Sequence, residues 1–203
     1  MPNCILFYPV FGASLNLFLG SLTVRSQLPL FFDCIGTAIV AIMAGPVLGM
    51  ATGLTTTVLG GVYFAYDLAF APVGIFIGAA VGLLARRGAF KKLSWIIFSG
   101  LGMGLGAGVI SVYVLIFSFS GRPRKGPENL TKFYELIFQD ERVAIISQGL
   151  TSDVLDKVFT VLIACLVLRF MPRALARHYT VTFNSEVLRL SLIHISEPTR
   201  QEA

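Results

Sequence analysis

The sequence predicts an all-α integral membrane protein, a compact bundle of six transmembrane helices forming a single domain over residues 1–189. Three observations predict it. Of the 203 residues 55% are hydrophobic and 13% charged, with a mean hydropathy of +0.78, too apolar for a soluble domain of this size. Apolar runs near the ~20 residues that cross a hydrocarbon core recur six times between polar breaks. The 16 basic residues, against 11 acidic ones, fall in short clusters between those runs, as membrane loops do, which argues against nucleic acid as a partner.

The first run is Cys4 to Val24. The second, Leu28 to Ala44, and the third, Pro46 to Phe64, are divided only by Gly45-Pro46. Joined, they would make a helix nearly twice the ~20 residues a bilayer needs, so a tight turn is expected there rather than a kink. The fourth run is Ala69 to Arg86, the fifth Leu93 to Ser120 and the sixth Ser147 to Met171. Within the long connection from Gly121 to Ile146, an apolar stripe at Phe133, Leu136 and Ile137 predicts a short helix over Leu130 to Val143, lying across the outer mouth. Glycines repeat every fourth residue at Gly45, Gly49 and Gly53, at Gly74, Gly78 and Gly82, and at Gly100, Gly104 and Gly108. Such small-residue ridges let helix backbones approach closely. The run from Gly100 to Gly108 follows no strand and lacks a GKS or GKT, so it is no phosphate cradle.

Orientation follows from Arg86, Arg87, Lys91 and Lys92, four cations without an acid, which place that turn in the cytoplasm. With six spans, the tail carrying Arg173 and Arg177 falls on the same side, and both termini are cytoplasmic in a multi-pass cell-membrane protein. Against this order, Arg122, Arg124, Lys125, Lys132 and Arg142 lie in the connection it puts outside. Cys4, Cys34 and Cys165 sit in apolar runs at unrelated spacings and read as apolar fillers. The string LSLIHISEPTR from Leu190 back-translates into a transposon sequencing adapter, so residues 190–203 are expected to be an artefact and are set aside from the fold.

The ionisable residues of the apolar spans away from the cytoplasmic side are Asp33, Asp67, Asp153, Asp156 and Lys157. A carboxylate at that depth costs a few kcal/mol unless it faces protein or a wet cavity. Asp153, Asp156 and Lys157 share a helix face by their i,i+3 and i,i+4 spacing. With Asn16, Tyr63, Tyr66 and Gln148 nearby, the group is a candidate pocket for a small polar organic molecule. Each residue has a plainer role open to it: a cap at Asp153, a turn at Asp67, mutual neutralisation for Asp156 and Lys157. No nucleophile has an adjacent base and no metal-ligand spacing occurs, so the chain is expected to be no enzyme and to carry no metal or cofactor.

The run Leu28-Pro29-Leu30-Phe31-Phe32-Asp33-Cys34-Ile35-Gly36-Thr37, the turn at Gly45-Pro46, and Gln148-Gly149-Leu150-Thr151-Ser152-Asp153-Val154-Leu155-Asp156-Lys157 resemble the S components of energy-coupling factor transporters. The likeness covers roughly Pro9 to Arg177 and is nearest the broad group that includes riboflavin-type S components. It implies six short helices, a vitamin-like substrate captured from outside, and partnership with a transmembrane coupling subunit and two ATPase subunits. It also implies a coupling face on the first helix. The family's AxxxA motif is not intact there, since Ala13 is followed by Leu17, but Gly12, Ala13, Asn16 and Gly20 offer a comparable flat surface. The sensor region of a multi-pass membrane histidine kinase shares the glycine-rich six-helix look and stands as the alternative. An independent secondary carrier fits less well, because no inverted repeat is present.

Overall fold

The computed structural model describes residues 3–26, 28, 30–119 and 128–171. Residues 190–203, and Arg173 and Arg177, lie outside them. The described residues are all-helical. In chain order they form α1 (Asn3–Ser26), α2 (Ile35–Ala44), α3 (Pro46–Tyr63), the single-turn α4 (Ala65–Leu68), α5 (Ala71–Arg86), a 3-10 turn (Ala89–Lys91), α6 (Leu93–Phe119), α7 (Glu128–Phe138) and α8 (Glu141–Arg169).

The centre of the bundle is α2. Every residue from Ile35 to Ile42 is buried, the pattern of a helix that is apolar all round, and α1, α3, α5 and α8 pack about it. Gly45 ends α2 with φ +89°, a value that favours glycine, and Pro46 opens α3 at its first turn. The two helices therefore fold back on each other, as the Gly-Pro signal predicted. The glycine ridges of α3 and α5 then interlock in antiparallel register. A Cβ built on Gly53 would overlap the backbone of Gly74, one on Gly78 the backbone of Gly49, and one on Gly82 the backbone of Pro46. The stripe of α6 meets α8 in the same way, with Gly100 on Val158, Gly104 on Val154 and Gly108 on Leu150.

Three boundaries differ from the sequence reading. The second apolar run becomes helical only at Ile35, so α2 has 10 residues and rises about 15 Å, half a hydrocarbon core. The preceding backbone is held instead by side chains: Thr23 Oγ1 donates to the Phe31 carbonyl at 2.8 Å, and Asp156 accepts from two backbone N–H groups. The helix expected over Leu130 to Val143 stops at Phe138. Gln139 takes a positive φ of 54°, and Asp140 starts α8 by accepting from the N–H of Arg142 at 2.8 Å and of Val143 at 3.1 Å. The apolar stripe of α7 also faces outward, with Phe133, Leu136 and Ile137 exposed while Tyr134 hydrogen-bonds Thr151 of α8.

Among the described residues, two helices are long and apolar enough to cross a membrane, α1 over Leu6–Thr23 and α6 over Leu93–Phe119. Large apolar side chains lie on the outside, and several polar ones lie within an otherwise apolar core. Leu6, Phe7, Phe11, Phe18, Phe98 and Phe117 are exposed, whereas Asn16, Thr37, Thr52, Asp156 and Lys157 are buried.

Candidate functional site

The site forms where the N-terminal end of α2 meets the middle of α8. A lysine on α8 can be buried here because carboxylates from two elements surround it. Lys157 Nζ lies 2.5 Å from Asp156 Oδ2, 3.7 Å from Asp33 Oδ1 and 4.0 Å from Asp153 Oδ1. Asp153 and Asp156 precede Lys157 on the same helix. Asp33 arrives from the turn before α2, beside Gly20 of α1, where a built Cβ would lie 3.6 Å from the Asp33 Cβ. Lys157, Asp153 and Asp156 are buried, but the Asp33 side chain is 52% exposed. Three carboxylates thus face one ammonium, and one of them reaches the surface.

Asp156 does a second job. Its Oδ1 accepts from the N–H of Phe32 at 2.7 Å and of Phe31 at 3.0 Å, which ties the α1–α2 connection to α8. Phe32 has φ +51°, a left-handed conformation that costs a bulky residue about 1–2 kcal/mol. The carboxylate that receives both N–H groups holds that conformation in place. Ser111 of α6 lies beside Asp153, so a third element borders the site. One turn beyond Asp156, the buried Thr160 hydroxyl has no hydrogen-bond partner among the described residues.

Of the residues expected from sequence, Asp33, Asp153, Asp156 and Lys157 are brought together. Asn16 is fully buried and occupied as a clamp. Its Nδ2 donates to Thr37 at 2.8 Å and to Thr56 at 2.9 Å, and its Oδ1 accepts from the Gly36 N–H at 2.6 Å, joining α1, α2 and α3. Gln148 is buried too, donating to Ser152 Oγ at 2.9 Å within α8. Tyr66 and Asp67 stand on α4. Tyr66 stacks on Phe119, ring centroids 4.1 Å apart, and Asp67 lies over Gly60 of α3. Tyr63 is exposed.

The face of α1 expected to couple to a partner lies mostly inside the bundle. Gly12, Ala13 and Asn16 are turned into the bundle: a Cβ on Gly12 would meet Thr52, Val40 and the Gly36 carbonyl, and Ala13 is 0% exposed. Gly20 packs beside Asp33. A four-residue spacing identifies a face, and here α2 and α3 already cover it. Among the described residues no group of three His, Cys, Asp or Glu side chains is arranged to hold a metal ion.

The residues that sequence reasoning missed are Ser111, Thr160 and the Phe31 and Phe32 N–H groups. No local signal marks the last, because some 125 residues separate Asp156 from Phe31. Compared with known proteins, the chain matches no family model, no curated protein and no solved structure.

Proposed function

We propose that the chain is the substrate-binding S component of an energy-coupling factor transporter. In this reading it is a six-helix membrane bundle that captures a vitamin-like micronutrient from outside and passes it to a coupling subunit driven by two ATPases. The observation that carries the reading is the ionic group at Lys157. A pair built only to join helices needs one carboxylate per ammonium, whereas here Asp156 already balances Lys157 and Asp33 stands partly exposed beside them. An intramembrane cluster of this kind is by default a ligand or ion site.

The positions of the charges support the assigned side. Arg86 packs over Gly45 at one end of α2, and Lys157 sits at the other. If the cations from Arg86 to Lys92 lie in the cytoplasm, the ionic group opens outward. The outward apolar stripe of α7 then suits a helix lying in the membrane interface above it. The backbone before α2, irregular at membrane depth, is tolerated because Asp156 and Thr23 satisfy its polar groups.

The test is a titration of detergent-solubilised protein with a panel of water-soluble vitamins, followed by uptake assays in liposomes. One vitamin is expected to bind in the absence of ATP, with accumulation only when a coupling module is co-reconstituted. Accumulation by the chain alone would contradict the reading, as would binding of no member of the panel.

A further inference from the structure

Away from the ionic group, α5 and α6 diverge to leave a groove of about 660 Å³, within the range of about 300–1,000 Å³ typical of small-molecule sites. Phe76 and Leu84 line it from α5, and Trp95, Phe98 and Met103 from α6. Arg87 stands at its rim. Gly102 forms open floor, since a Cβ there would meet nothing within 4 Å. From Trp95 to Met103 the groove follows about 12 Å of helix, close to the depth of one leaflet. Trp95 is exposed beside the basic turn, where an aromatic belt residue would lie at the headgroup level.

The charge is one-sided. No acid occurs anywhere between Asp67 and Glu128, while Arg86, Arg87, Lys91 and Lys92 fall in one short stretch of chain, of which Arg87 lines the groove. An apolar slot of leaflet depth, headed by cations, matches a molecule with an acyl chain and an anionic head. The chain's own segment after Met171 carries Arg173 and Arg177, of the same sign as the rim. A second copy related by a two-fold axis would set the cations of one turn against those of the other.

We propose that this groove holds one anionic phospholipid, its acyl chain along α5 and α6 and its headgroup on Arg87. The proposal rests on α6 crossing the membrane. Native mass spectrometry of the full chain in mild detergent, incubated with dioleoyl phosphatidylglycerol or dioleoyl phosphatidylcholine, reads it directly. Phosphatidylglycerol should be retained preferentially. Arg87→Gln should reduce that retention about fivefold, the value of one basic side chain near an anionic headgroup. Gly102→Phe, which fills the floor, should reduce retention of both lipids. Equal retention of the two lipids by the wild type would overturn the proposal, as would phosphatidylglycerol binding unchanged in Gly102→Phe. A dimer that Gly102→Phe abolishes would give the groove to a second copy and overturn it as well. Alkaline extraction separates the two levels of failure. A chain released from membranes defeats the membrane reading, whereas one that stays bound without lipid preference defeats the lipid assignment alone.

Discussion

Lys157 is the residue on which the interior charges depend. Replacing it with Met strands Asp156 without its cation in a buried site, and the cost should be about 3–5 kcal/mol, read by thermal unfolding in detergent. Adding Asp156→Asn should recover most of that loss, because the amide oxygen still receives the Phe31 and Phe32 N–H groups while the stranded charge is gone. Thr160 runs the other way. Its buried hydroxyl has no partner among the described residues, so Thr160→Val should be neutral or raise stability by about 1 kcal/mol in the same melts. The grouping of Asp153, Asp156 and Lys157 was legible, since helical spacing alone puts them on one face. Asn16 was not. A lone polar side chain on a glycine-rich face fits a ligand site or an interior clamp equally well, and only the positions of Thr37, Thr56 and Gly36 decide it. Removing that clamp with Asn16→Leu leaves the buried Gly36 N–H unsatisfied and should cost about 1–3 kcal/mol.

At the level of elements, glycine spacing predicted close helix contacts and the Gly45-Pro46 turn, and both are present. What spacing could not give was the neighbour that covers each stripe. Gly12 faces Gly36 and Thr52, and Gly102 faces open space. The two glycines at the extremes therefore make opposite predictions. Gly36→Ala drives a Cβ into the Gly12 carbonyl and should destabilise the junction of α1 and α2 by about 1–3 kcal/mol. Gly102→Ala meets nothing and should stabilise α6 by about 0.5–1 kcal/mol through its reduced unfolded-state entropy, which chemical denaturation of the two variants would show. The late start of α2 was hidden for a related reason. Its first residues are as apolar as a helix, and what holds them out of the helix is a carboxylate on α8.

On the scale of the whole molecule, an apolar core crossed by a few polar clamps is surrounded by exposed Phe and Leu, and the ionic group sits at the end of α2 remote from the basic turn. In the proposed reading that arrangement makes structural support and ligand capture separable, because Asp156 is committed to Lys157 and the α1–α2 backbone while Asp33 is partly exposed. The most direct test is isothermal titration of wild type and Asp33→Asn with the vitamin that binds, each paired with a thermal melt. The account predicts that Asp33→Asn melts within about 1 kcal/mol of wild type, since its ion pair is half-exposed. Affinity should fall about tenfold or more, the worth of a hydrogen bond to a charged group. Unchanged affinity in Asp33→Asn would show that the ionic group only holds the bundle together.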